Sequence, residues 1–193
     1  MTGARRFSQA ISEGDGISIV AEVDDPESAR RAEADGAEAL LLYSGRETGL
    51  GAIREAVSIP ILFYWDGEHV ERLDGADACV LDASRGSGEF VEHAHSELDD
   101  GFEVALRVDD EDELAEVLEK FDPELFVLVG KSDEPLENVL ELLQDVPAGK
   151  LAIAELPVSG RDEVTELERA GMDAVIVPGG NVAELVGGNH PDV

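Results

Sequence analysis

Short apolar runs recur along this chain, each followed by a stretch whose apolar positions return at helical spacing. The clearest unit spans 149–180, GKLAIAELPVSGRDEVTELERAGMDAVIVPGG. LAIAEL (151–156) reads as a strand carrying a carboxylate near its end. Asp162 to Ala170 then sets Val164, Leu167 and Ala170 on one helical face, and Gly171 stands as a C-cap. The next run, AVIV (174–177), is apolar at every position, as a parallel strand covered on both faces requires. It ends at Pro178-Gly179-Gly180, where residues without a Cβ let backbone N–H groups approach an anion.

The same unit repeats upstream. Residues 4–14 predict a short leading helix. Strands are predicted at 17–23, 39–43, 59–65, 78–82, 103–108 and 125–129. The helices between them are expected from Pro26, carrying Ala29, Ala32 and Ala34 up to Gly36, then at 49–57, 69–73, 88–98, 111–120 and 135–144, with a last one starting near Asn181. GAEALLL (36–42), GADACVL (75–81) and GMDAVIV (171–177) reuse one joint: a helix-ending glycine, a polar link and an apolar strand. Eight strands in strict alternation with helices predict an α/β fold, a single trimmed (βα)8 TIM barrel with a short leading N-terminal helix. An open doubly wound sheet is the rival. One domain is expected over 1–193, with 1–16 as leading segment and 188–193 as tail.

Charge changes the picture of partners. The 45 acidic residues against 14 basic ones give a formal net charge of −31, which argues against nucleic acid and anionic membrane as partners. The acids are spread through every predicted helix, and the only lysines are Lys120, Lys131 and Lys150, a composition resembling that of haloarchaeal proteins. It reads as adaptation to a salty solvent. No run is apolar enough to cross a membrane and Met1 to Gly16 is polar, so a cytoplasmic location is expected. Cys79, the single cysteine, lies inside ACVL and reads as a core residue.

In a barrel the chemistry collects at the C-terminal ends of the strands. The polar residues there are Glu22, Asp24, Tyr43, Ser44, Tyr64, Asp66, Asp82, Ser84, Arg107, Asp109, Lys131, Ser132, Glu155 and Ser159, with Gly179 and Gly180 after the last strand. Glu22 and Glu155 sit within apolar strands, where a carboxylate needs a cationic or hydrogen-bonding partner. Arg107 is the candidate, in either a structural ion pair or a functional one. The Gly179-Gly180 turn serves either as a helix entry or as a phosphate cradle. His93 and His95 lie two apart and share no helical face, His69 and His190 stand alone, and neither metal nor cofactor is expected.

AEV (21–23), VSIPILFYWD (57–66), GADACVLDAS (75–84), EVALRVDDEDEL (103–114) and AIAELPVSGRDEVTELERAGMDAVIVPGG (152–180) resemble, in order and spacing, indole-3-glycerol-phosphate synthase. That barrel of the tryptophan pathway closes an indole ring with loss of carbon dioxide and water. The resemblance implies that Glu22 and Glu155 match family glutamates. It also implies substitutions: Asp24 and Tyr64 stand where the family has lysines, Arg107 where it has a glutamate, and Gly130 where it has an asparagine. Leu156-Pro157 replaces a Ser-Gly pair, and Pro178-Gly179 replaces the Gly-Ser of the phosphate loop.

Three readings follow. In the first, the barrel has lost the family's catalytic set and binds a phosphorylated or anionic small molecule, or a protein partner, with Arg107, Lys131, Ser159, Gly179 and Gly180 holding the anion. In the second, it is a divergent lyase or isomerase on a phosphorylated substrate, with Glu22 or Glu155 as general base and Tyr64 or Arg107 steadying an oxyanion. In the third, it is an active synthase whose missing groups come from elsewhere.

Overall fold

The structure is a computed structural model that describes residues 5–14, 16–43, 45, 49–85, 88–98, 101–131 and 133–186. Ser44, Ser132, His190 and the tail expected from 188 lie outside the described residues. Eight parallel strands close on themselves in sequence order: β1 (Ser18–Glu22), β2 (Ala39–Tyr43), β3 (Ile61–Tyr64), β4 (Ala78–Asp82), β5 (Glu103–Val108), β6 (Leu125–Val129), β7 (Leu151–Glu155) and β8 (Ala174–Pro178). The ring is sealed by β8 against β1, with Ser18 beside Ala174 and Glu22 beside Pro178. That pairing is what an open doubly wound sheet lacks, so the fold is a TIM barrel.

The strands are apolar at nearly every position because both faces are covered. Alternate side chains point inward, so Val20, Leu41, Leu62, Val80, Ala105, Val127, Ile153 and Ile176 fill the barrel. Outward residues such as Leu40, Phe63, Leu81, Phe126 and Val175 pack beneath the helices. Those helices are α2 (Pro26–Ala34), α3 (Leu50–Ala56), α4 (Gly88–Ser96), α5 (Glu111–Lys120), α6 (Pro135–Asp145), α7 (Arg161–Ala170) and α8 (Val182–Leu185).

The leading helix, α1 (Arg6–Ser12), is shorter than the expected 4–14 and stoppers the N-terminal end of the barrel. Its buried Phe7 and Ile11 join the inner core from below. Glu103, at the start of β5, accepts the backbone N–H groups of Phe7 at 2.9 Å and Ser8 at 3.0 Å, replacing a local N-cap that Arg5 does not supply. Arg6 reaches Asp77 at 2.9 Å, where Arg54 joins it at 2.7 Å.

Two expectations need correction. After β3 the chain forms a 3-10 turn, Val70–Leu73, instead of an α-helix at 69–73. The chain is folded back too early for a helix: Gly67 (φ +82) and His69 (φ 56) are left-handed, and the Trp65 indole donates to Glu68 O at 2.8 Å. Ala170, expected on one helical face with the buried Val164 and Leu167, is exposed at the end of its helix. The last helix begins at Val182, next to the expected start near Asn181, after a 3-10 turn at Gly179–Asn181. Among the described residues no helix is long and apolar enough to cross a membrane.

Candidate functional site

At the C-terminal rim the inward positions turn polar. Asp82 ends β4 directly beside Arg107 of β5, and Glu155 ends β7 on the far side of β6. Arg107 binds Glu155 with two nitrogens, Nε to Oε2 at 2.8 Å and Nη2 to Oε1 at 3.3 Å, and turns Nη1 toward Asp82 Oδ2 at 3.4 Å. Asp82 is a hub. Its Oδ2 also accepts the Tyr64 hydroxyl at 2.7 Å, and its Oδ1 accepts the Ser84 hydroxyl at 2.6 Å and the Ser84 N–H at 3.1 Å. Tyr43 stacks on Tyr64 with ring centroids 5.2 Å apart.

These contacts fix the protonation states. Burial pushes the Tyr64 phenol far above its ordinary value, and its hydrogen bond to Asp82 adds to the effect. Burial opposes ionisation of Asp82, but the Ser84 and Tyr64 donors and the Arg107 charge outweigh it, so the carboxyl titrates below the usual range. Burial likewise works against the Arg107 cation, yet Glu155 holds it protonated more firmly than an ordinary arginine. Tyr64 and Arg107 therefore keep their protons at neutral pH.

A cleft of about 580 Å³ opens above this network, lined by Tyr43, Gly45, Tyr64, Asp66, Arg72, Asp82, Arg107 and Glu155. Arg72 comes from the 3-10 turn after β3 and binds Asp66 Oδ2 at 2.6 Å. Sequence reasoning missed Arg72, because its pairing with Asp66 spans six residues of irregular loop and matches no helical or strand period.

Of the residues singled out for a site, Tyr64, Arg107 and Glu155 are brought together. Glu22 ends β1, half-buried, at a neighbouring position on the rim. Lys131, Ser159, Gly179 and Gly180 do not line the cleft. Lys131 forms an ion pair with Asp109, the Ser159 N–H donates to Glu163 Oε2 at 2.6 Å, and a Cβ at Gly179 would sit 2.8 Å from Glu22 O. Asp109, Asp110 and Glu113 gather closely enough to hold a cation. They already serve the start of α5: Asp110 accepts from Glu113 N at 2.8 Å and Glu113 from Asp109 N at 3.1 Å. His93 and His95 are exposed on α4.

No family model matches the chain. Over 145 residues it is 26% identical to a curated enzyme of Geobacillus sp. (strain WCH70), a match that covers 70% of this chain. The relative is an indole-3-glycerol phosphate synthase. The matched part spans 56% of the synthase's own length. Solved structures share the fold. Phosphoenolpyruvate phosphomutase from Streptomyces platensis subsp. rosaceus superposes with a TM-score of 0.67 at 18% identity, covering 93% of this chain and 82% of its own. The N-acetylmannosamine-6-phosphate 2-epimerase of Clostridium perfringens gives 0.63 at 17%, covering 88% and 87%. Thiamine phosphate pyrophosphorylase from Pyrococcus furiosus gives 0.65 at 15%, covering 88% and 90%. At these identities the structural likeness is one of fold alone.

Proposed function

We propose that this barrel binds a phosphorylated or otherwise anionic small molecule at its C-terminal mouth and does not carry out the synthase ring closure. One observation carries the reading: the position implied for a catalytic lysine holds Tyr64, whose proton is fastened to Asp82, and the position implied for a glutamate holds Arg107, fastened to Glu155 and Asp82. A general acid has to titrate near the working pH. Tyr64 and Arg107 are both shifted further from that range, not toward it. Losing one such group costs on the order of a hundred- to ten-thousand-fold in rate, and here two lysines and a glutamate have been replaced together. Glu155, gripped by two guanidinium nitrogens, is poorly placed to act as a base.

The ligand class rests on the cleft and on analogy. The cleft is large enough for a small metabolite, and it carries stacked tyrosine rings beside guanidinium groups. The synthase relative, the epimerase and the pyrophosphorylase are named for phosphorylated compounds, which favours a phosphate-bearing ligand by fold-level analogy.

Thermal unfolding in molar KCl tests this against a panel of sugar phosphates that includes indoleglycerol phosphate and its substrate. A ligand at a hundred times its dissociation constant stabilises the native state by about 2.7 kcal/mol. Stabilisation by a member of the panel, without formation of indoleglycerol phosphate, is the expected result. Turnover of the synthase substrate, or silence across the panel, overturns the reading.

A further inference from the structure

Among the charged groups lining the cleft, Arg107 and Arg72 are held in different ways. Arg107 is 15% exposed in its side chain and commits three nitrogens to two carboxylates. Arg72 is 23% exposed, and its Asp66 partner is itself 33% exposed, so this ion pair faces the solvent of the cleft.

Arg72 is also carried on an ordered support. Trp65, 1% exposed, follows β3 and donates its indole N–H to Glu68 O at 2.8 Å. Asp66 turns back to accept the Glu68 N–H at 3.1 Å while binding Arg72 with its other oxygen at 2.6 Å. Gly67, left-handed at φ +82, lies so close to α4 that a Cβ there would sit 2.5 Å from Phe90 Cε2. His69 adds a second left-handed residue before the 3-10 turn. The loop spends its irregular backbone on replacing a helix with a short arm that sets a guanidinium over the cleft, and such conformations persist where the surroundings fix them.

We infer that Arg72 is the ligand's oxyanion receptor, presented by the Trp65–Leu73 arm and released from Asp66 when a phosphate or carboxylate group takes Asp66's place. The inference rests on the anion-binding reading above and adds its selecting residue. A planar guanidinium donates paired N–H groups to a phosphate or a carboxylate, so an incoming oxyanion can replace the Asp66 contact. Asp66 acts as an internal competitor. Its charge offsets that of Arg72 when the cleft is empty and sets a threshold that a weakly charged ligand does not cross.

The test titrates inorganic phosphate and, separately, acetate into the full chain in molar KCl, following thermal unfolding and 31P line width for phosphate. The proteins are wild type, Arg72→Gln, Arg72→Lys and Asp66→Asn. We expect Arg72→Gln to weaken binding at least about tenfold, the loss of one charge-assisted pair. Arg72→Lys should retain part of the affinity, and Asp66→Asn should raise it, because the competitor loses its charge. Which of the two anions binds identifies the source of the oxyanion. Equal affinity in wild type and Arg72→Gln overturns this inference while leaving anion binding in place; absence of binding by wild type overturns both. If Arg72→Gln does not fold, Asp66→Asn decides, and unchanged or weaker binding there refutes the exchange.

Discussion

Arg107 on β5 reaches past β6 to hold Glu155 on β7, with Nε–Oε2 at 2.8 Å and Nη2–Oε1 at 3.3 Å. The pair ties together two strands that are not neighbours, over the apolar end of β6 at Val129. Truncating Glu155 to alanine leaves the guanidinium with Asp82 as its carboxylate partner among the described residues. We expect a loss of about 1–3 kcal/mol, as for a buried charged group deprived of one partner. The double variant Arg107→Met, Glu155→Leu should recover most of that loss, since a well-packed apolar pair often matches a buried ion pair. Chemical denaturation of the two variants in molar KCl measures both.

Asp82 gives the rim a pH dependence of known sign. Its carboxyl titrates lower in the folded chain than in the unfolded one, so the unfolded state binds the extra proton. The stabilisation is complete above the unfolded value of about 3.9 and is lost as pH falls through the lower folded value. The stability gap between wild type and Asp82→Asn should therefore be constant near neutrality and shrink as the pH drops below about 4. A gap that widens under acid would mean that the hydrogen bonds from Ser84 and Tyr64 do not favour the carboxylate.

The stopper at the other end of the barrel has its own energetics. Phe7 is fully buried, and Phe7→Ala should cost about 3–5 kcal/mol through the cavity it leaves. Glu103→Ala removes a long-range cap of α1 and should cost about 1 kcal/mol, with faster hydrogen exchange at the Phe7 and Ser8 amides. Exchange elsewhere in the inner core should stay slow in the Glu103 variant.

A formal charge of −31 on 193 residues makes the folded chain repel itself in dilute buffer. At molar salt the screening length falls to about 3 Å and only contact pairs survive. The unfolding midpoint should rise between low and molar KCl, and a midpoint that does not move would show that the acids are not a solvent adaptation.

The barrel was legible because its code is local. Each strand is a short apolar run between a glycine joint and a helix with apolar residues on one face, and seven of the predicted strand–helix units correspond to an α-helix following a strand. The exception, after β3, is decided by two left-handed residues and a tryptophan hydrogen bond that leave no trace in periodicity. At the rim, Arg107 and Glu155 were recognisable as charges inside apolar strands that needed a partner. The hub at Asp82 was harder to see, because an aspartate at a strand end is also what ordinary turn chemistry provides. Arg72 was invisible: its place above the cleft depends on how the loop folds back, not on its distance along the chain.

The packed interior of the barrel has a consequence for traffic. Inward side chains fill it, with Phe7 and Ile11 beneath them, so the barrel is a cup and not a tube. Whatever enters at the rim must leave by the same opening, past the same arm. Arrival and departure of a ligand are then governed by one doorway, so changes at Arg72 should alter capture and residence time together.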